Sequence, residues 1–132
     1  MYISTGQLHY SLGAYHRLVV NIDPEIGRYY RSLFPKYVQI NSPLYPAHIS
    51  VVRHEIVPNL SLWGKYEGEP IVFCYDGAIH SNGTYYWLDC FCRRLEEIRQ
   101  ELGLVVESLY TTPPEGFLKV WHTTLGNTKG RL

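Results

Sequence analysis

Cysteine is scarce in this sequence, and its spacing excludes two common kinds of small domain. The three cysteines, Cys74, Cys90 and Cys92, are an odd number and form no CxxC pair, which argues against a disulfide framework or a zinc knuckle. Cys90 and Cys92 are two positions apart, so on a strand both would point to one face, as reduced core residues. Reduced thiols are typical of a reducing compartment, and we therefore expect a cytoplasmic protein.

An excess of either charge is also missing. Lys plus Arg equals Asp plus Glu at 12 each, so the net charge is zero. Proteins that bind long RNA or DNA usually carry a basic surface, because neutralising phosphates supplies much of their affinity. A long nucleic acid is therefore not the expected partner, whereas a small ligand with a few phosphates is compatible with this composition.

Long apolar runs and metal-ligand spacings do not occur either. No apolar stretch approaches the roughly 20 residues of a membrane span, and the chain does not start with a basic segment followed by an apolar one. We therefore expect neither membrane insertion nor a signal peptide. HxH, HExxH and a glycine-rich phosphate loop are absent, and acidic residues do not cluster near the motifs described below. We expect no metal ion and no cofactor.

Aromatic residues are abundant: 12 Tyr, 3 Trp and 4 Phe make up 14% of the chain. Most should lie in the core, including Trp121, but two or three could stack on the bases of a nucleotide. The predicted stacking candidates are Tyr10, Tyr15, Trp63 and Trp87.

The 132 residues suit one domain, residues 1–132, of the α+β class. Strands are predicted at residues 16–22, 47–55, 69–79, 84–91 and 117–125. A helix should begin at the N-cap Asp23 and end near residue 33, and a second should span residues 93–102 and stop at Gly103. Strand–helix–strand units therefore occur twice, up to residue 55 and from residue 84, which indicates two similar lobes.

Two short motifs of the form His-x-[Ser/Thr]-hydrophobic lie on predicted strands, His48-Ile49-Ser50-Val51 and His122-Thr123-Thr124-Leu125. On a strand, residues i and i+2 share a face, so each motif presents an imidazole beside a hydroxyl. Cleavage of a phosphodiester by an internal 2′-hydroxyl needs two imidazoles for proton transfer and donors for the nonbridging oxygens. From the pattern alone, a catalytic pair and a pair of ordinary strand histidines without a catalytic role are about equally well supported. A third match, His9-Tyr10-Ser11, runs into Leu12-Gly13 rather than an alternating strand, and we rank it lower.

The paired motifs, in opposite halves of the chain, resemble those of the two-histidine (2H) phosphoesterase superfamily. The resemblance extends over PEIGRYYRSLF, AHISVVRHE, the second predicted helix and WHTTLGN. It implies a fold with two pseudo-symmetric lobes around a central cleft, a catalytic pair of His48 and His122, and phosphate binding by Ser50 and Thr124. Thr123 and Ser50 depart mildly from that pattern, in which the spacer is often apolar and Thr is commoner than Ser.

The compact size and the strings HISVVR and NGTYYWL are similar to a phage group within this superfamily. Its members include an anti-CBASS nuclease that degrades the cyclic oligonucleotides of bacterial immune signalling. The resemblance implies a metal-independent phosphodiesterase acting on 3′–5′ linkages of cyclic di- or trinucleotides, in the host cytoplasm if the protein is phage-encoded. Two alternatives stay open. One is a 2′,3′-cyclic phosphodiesterase or RNA-end-processing enzyme, and the other is a binding protein that sequesters a nucleotide without cleaving it. The sequence does not indicate the oligomeric state.

Overall fold

The computed structural model of the protein describes residues 1–108 and 110–130, and in these ranges it contains six strands, two α-helices and one short 3₁₀ turn. The strands are β1 (Tyr2–Leu12), β2 (His16–Ile22), β3 (His48–Arg53), β4 (Pro70–Ser81), β5 (Tyr85–Phe91) and β6 (Trp121–Asn127). The helices are α1 (Pro24–Ser32) and α2 (Arg93–Glu101), and the 3₁₀ turn is Leu60–Leu62.

All strand pairs are antiparallel, and the sheet closes on itself in the order β1-β2-β3-β6-β5-β4. Each half of the chain contributes two strands, a helix and a third strand in the same sequence order. The third strand of each half, β3 and β6, carries a His-x-[Ser/Thr] motif, and these two strands are neighbours. The predicted α+β class is confirmed.

Local signals explain most of the element boundaries. The Asp23 side chain accepts a hydrogen bond from the backbone N–H of Glu25 and caps α1, whose first residue is Pro24. Gly103 follows α2 with φ of +81°, a backbone conformation that glycine adopts without strain. In the β4–β5 turn, the Asn82 side chain accepts hydrogen bonds from the N–H groups of Thr84 and Tyr85.

Strand β1 was not predicted, because its apolar alternation is short. Only Leu8 and Tyr10 are buried among its eleven residues, and Tyr2, Ile3 and Leu12 are exposed apolar residues that obscure the period of two. The last strand also starts later than expected, at Trp121 instead of residue 117, because Leu118 and Lys119 direct their N–H groups to the Glu96 carboxylate instead of to a neighbouring strand.

The core lies on one face of the sheet and is covered by the two helices. Residues from every strand alternate into it, and Leu95, Ile98 and Leu102 of the α2 region complete it. Cys90, Cys92 and Trp121 are buried there, as expected from their positions. The opposite face of β3, β5 and β6 is therefore available for polar residues.

An arginine from each helix contacts the motif strand of the other half. Arg99 of α2 donates to the carbonyl of Val51 on β3 at 2.8 Å and forms two hydrogen bonds with the Glu55 carboxylate. Arg31 of α1 donates to the carbonyl of Leu125 on β6 at 3.0 Å. Val51 and Leu125 occupy the same position, three residues after the histidine of their motif. The two halves are thus held together by equivalent, reciprocal hydrogen bonds.

Replacing either arginine should loosen this arrangement. Arg99→Met removes one partner of a mostly buried ion pair and leaves the Val51 carbonyl without its donor, so we expect a loss of about 3 kcal/mol in the free energy of unfolding. Arg31→Met should cost about 1.5 kcal/mol, one charge-assisted hydrogen bond. Urea denaturation would measure both, with the exposed Arg28→Met as a control expected to change stability by less than about 0.5 kcal/mol. A loss as large in the control as in Arg99→Met would contradict the special role of the reciprocal bonds.

Candidate active site

The two motifs meet where β3 and β6 pair. Ile49 lies opposite Thr123, and both side chains are buried. In an antiparallel pair, this register carries His48 towards Thr124 and Ser50 towards His122. Because neighbouring side chains on a strand alternate, all four point away from the core on one face. The structure therefore brings together the four residues that the sequence singled out, each imidazole facing the hydroxyl residue of the other motif.

His48 is held in one tautomer by the backbone. Its Nδ1 lies 2.6 Å from the carbonyl oxygen of Pro46, and because a carbonyl only accepts, Nδ1 must carry the proton. Nε2 is then the atom that can take or give a proton. Partial burial lowers the pKa of His48; the Pro46 carbonyl opposes this shift, and the nearby Arg17 and Arg53 add to it.

His122 has a carboxylate beside it instead. Asp89 of β5 is its cross-strand neighbour, and His122 Nδ1 lies 3.5 Å from Asp89 Oδ1. Partial burial lowers the pKa of His122, Asp89 opposes that shift by favouring the imidazolium, and His80 and Lys119 reinforce it. The two histidines therefore differ in their surroundings: both have cationic neighbours, but only His122 has a carboxylate beside it.

Asp89 is the centre of a small network that the sequence analysis missed. Trp87 Nε1 donates to Asp89 Oδ1 at 3.2 Å, and His80 Nε2 lies 3.1 Å from Asp89 Oδ2. The Trp87 ring stacks on His80 and meets His122 edge-on, with ring centroids 6.1 Å and 5.5 Å apart. His80 lies near the end of β4. The period of two along β5, which puts Trp87 and Asp89 on one face, was the available signal.

A pocket of about 740 Å³ adjoins the motifs, a size typical of small-ligand sites. His48, Ser50 and Thr124 line it. His122 does not line it, but lies on the same strand face two residues before Thr124. The cationic lining residues are Arg17, Arg53 and Lys129, and no Asp or Glu is among the described lining residues. A neutral protein therefore presents a locally basic pocket, which suits an anionic ligand.

The four predicted stacking residues fall into two groups. Tyr15 lines the pocket with 59% of its surface exposed, and its ring centroid is 4.3 Å from that of His54. Trp87 pairs with Thr124 across β5 and β6 and contacts His122. Both can meet a ligand bound at the motifs.

Tyr10 and Trp63 lie away from the pocket, so the structure offers no support for the prediction that these two rings stack on a base. Tyr10 is only 8% exposed, and burial raises its pKa to about 12. Its ring centroid is 5.0 Å from that of Trp63, which packs against the same core. Tyr10 follows Leu8 in the strand alternation, so both point to the core face. Neither ring is among the residues that line the pocket.

The third motif match lies elsewhere. His9 is on strand β1, contrary to the expectation that no regular strand continues there, but its Nδ1 contacts Glu67 Oε2 at 3.0 Å and the residue does not line the pocket. The lower rank of this motif agrees with its position, although the reason given for it was wrong.

The segment between α1 and β3 forms part of the pocket wall. Asn41 and Asn127 exchange two backbone hydrogen bonds of 2.7 and 3.1 Å, which tether this segment to the end of β6. A Cβ atom at Gly126 would collide with the backbone oxygen of Asn41 and with Ile40, so only glycine fits there. The tether brings Tyr45 to the pocket, where its ring lies 5.5 Å from the Arg17 guanidinium. Sequence patterns gave no sign of this contact.

Comparisons with protein-family models, with curated proteins and with solved structures found no match to this chain. Within residues 1–108 and 110–130, no group of three or more His, Cys, Asp or Glu side chains is placed to hold a metal ion. Neither helix in this described part of the chain is long and apolar enough to cross a membrane.

Gly126→Ala should separate the tethered segment from β6, because the new methyl group meets backbone that cannot rotate away. We expect the amide protons of Asn41 and Asn127 to lose protection in hydrogen-exchange measurements. Gly13→Ala is the matched control, since a Cβ there meets nothing within 4 Å. Unchanged protection in Gly126→Ala would show that the close approach does not constrain the segment.

Proposed function

We propose that the protein is a phosphodiesterase that cleaves 3′–5′ linkages in small oligoribonucleotides, cyclic di- and trinucleotides included. The observation that carries the proposal is the β3–β6 pairing, which sets an imidazole beside a hydroxyl residue twice on one face next to a basic pocket. The repeated β-β-α-β halves and their reciprocal arginine contacts support membership of the two-histidine phosphoesterases. By its resemblance to the phage group, the substrate would be a cyclic nucleotide of host immune signalling.

The proposed reaction requires two proton transfers, and the two imidazoles can supply both. The ribose 2′-hydroxyl attacks the adjacent phosphorus, a bond from O2′ to phosphorus forms, and the bond from phosphorus to the leaving O5′ breaks. One imidazole takes the 2′-hydroxyl proton and the other protonates O5′, so the products are a 2′,3′-cyclic phosphate and a free 5′-hydroxyl. Ser50 and Thr124 donate hydrogen bonds to the nonbridging oxygens, where negative charge accumulates. Both proton transfers are supplied by the chain, which makes the proposed reaction metal-independent.

The surroundings of the histidines support a division of roles between them. Arg17 and Arg53 disfavour the protonated form of His48, which suits a general base that must start neutral. Asp89 favours the protonated form of His122, which suits a general acid. We therefore assign proton abstraction to His48 Nε2 and protonation of the leaving oxygen to His122. Asp89 acts through His122 and is a positioning residue.

Loss of either imidazole should stop cleavage. We expect His48→Ala and His122→Ala each to lower kcat by about 10² to 10⁴-fold, and the double variant to be little worse, because the two act as a unit. His9→Ala is the control and should retain wild-type activity. Chromatography of a panel of cyclic dinucleotides, cyclic trinucleotides and 2′,3′-cyclic mononucleotides, incubated in EDTA, would measure turnover. Activity of His48→Ala close to the wild type would refute the assignment.

The identity of the first product tests the nucleophile. Mass spectrometry should find a 2′,3′-cyclic phosphate, and a substrate whose reacting ribose is 2′-deoxy should bind but remain intact. A linear 5′-phosphate product, or efficient cleavage of the deoxy analogue, would mean that water attacks directly.

The plot of kcat/KM against pH should be bell-shaped, with its maximum at a lower pH than two histidines of ordinary pKa would give. Activity rises as His48 loses its proton and falls as His122 loses its own, and the pKa of each is lowered from the ordinary 6.5. In Asp89→Asn the imidazolium of His122 loses its anionic neighbour, its pKa falls further, and the alkaline limb of kcat/KM moves to lower pH. Glu97→Gln, an exposed charge change on α2, should leave the profile unmoved. An alkaline limb that stays in place in Asp89→Asn would exclude the positioning role.

A further inference from the structure

Two arginines lie directly opposite each other at one end of the pocket. Arg17 of β2 is the register partner of Arg53 of β3, and both line the pocket. Like charges in directly opposed positions of a sheet destabilise it. Among the described residues neither arginine forms an ion pair with a carboxylate, whereas Arg28, Arg94 and Arg99 all do. Of the other described arginines, Arg31 and Arg93 have no carboxylate partner either, but each donates a hydrogen bond to a backbone carbonyl, Leu125 and Gly116 respectively.

The arginine pair is close enough to the motifs to belong to the same site. Arg53 is five residues from His48 along β3, about 16 Å of extended strand, and both arginines line the pocket that His48 also lines. Both guanidinium groups depress the pKa of the His48 imidazole. The Tyr45 ring lies over the Arg17 guanidinium at 5.5 Å and limits its orientations. A ligand bound at His48, Ser50 and Thr124 would extend towards the arginines, because all five residues line the same pocket.

We propose that Arg17 and Arg53 form a second anion subsite, which binds a phosphate that is not cleaved. Planar guanidinium groups bind phosphate oxygens in pairs, and a doubly or singly charged phosphate would relieve the repulsion between them. This inference rests on the proposed function and defines its substrate class: nucleotides with at least two phosphates, one between the histidines and one between the arginines. Mononucleotides would then be poor substrates.

Comparing two ribodinucleotide substrates with the same bases isolates the contribution of the arginine subsite from that of the histidine motifs. One is a 3′–5′-linked dinucleoside monophosphate with a single phosphate, and the other carries an additional terminal phosphate. We expect wild-type kcat/KM to be about tenfold higher for the two-phosphate substrate, which corresponds to about 1.4 kcal/mol. In Arg17→Gln and Arg53→Gln the ratio between the two substrates should fall to about one, while the exposed control Arg28→Gln keeps the wild-type ratio. A ratio retained in both pocket variants would overturn the subsite.

Binding measured without turnover distinguishes failure of the subsite from failure of the proposed chemistry. Calorimetry with the 2′-deoxy versions of the two ligands should show an affinity gain of about tenfold for the second phosphate, abolished in Arg17→Gln and Arg53→Gln. That result supports the subsite even if the wild type cleaves neither ribose substrate, in which case only the proposed reaction fails. Equal wild-type affinity for the two ligands, or no binding of either, would overturn the subsite even if cleavage is observed.

The melting temperatures of the two variants test whether Arg17 and Arg53 serve only to hold the strands together. Each substitution removes one of two opposed like charges, so the melting temperature of Arg17→Gln and Arg53→Gln should equal or exceed that of the wild type. A lower melting temperature in both would show that the arginines hold the strands together, contrary to a role in ligand binding.

Discussion

The register between β3 and β6 is the constraint on which the candidate site depends. A single buried pair, Ile49 and Thr123, lies at its centre. A slip of one residue in either strand would turn that strand's imidazole and hydroxyl into the core, because side chains alternate with a period of two. The carbonyls of Val51 and Leu125 each accept a hydrogen bond from an arginine of the opposite half. These bonds hold β3 and β6 in position against the helices. Fold stability and site geometry therefore depend on the same contacts.

The protein has no net charge, but its charged residues are unevenly distributed around the candidate site. Cations line the pocket near His48 without any described carboxylate among them, and Asp89 stands beside His122 on the neighbouring strand. Two chemically identical side chains on adjacent strands therefore differ in their surroundings, because only His122 has a carboxylate beside it. The same residue type thus meets different electrostatic conditions in the two motifs.

The sequence predicted those parts of the protein that depend on local chemistry. The helix starting after Asp23, the stop at Gly103 and the motif strands follow from capping, backbone freedom and alternation. It did not predict Asp89, His80 or the opposed Arg17 and Arg53, because these acquire their neighbours only when distant strands pair. Aromatic composition was equally uninformative: nothing local separates Tyr10, which is buried, from Tyr15, which borders the pocket. Strand β1 and the Asn41–Asn127 tether likewise needed the tertiary structure.

Closure of the sheet has a consequence for the behaviour of the protein in concentrated solution. A molecule without net charge lacks the electrostatic repulsion that keeps many proteins apart. Exposed strand edges would then be a hazard, because unpaired N–H and C=O groups recruit strands from other chains. Here each of the six described strands has two hydrogen-bonded neighbours, since β4 pairs back onto β1. The closed order therefore leaves no described strand at an open end of the sheet, which limits edge-to-edge aggregation without using surface charge.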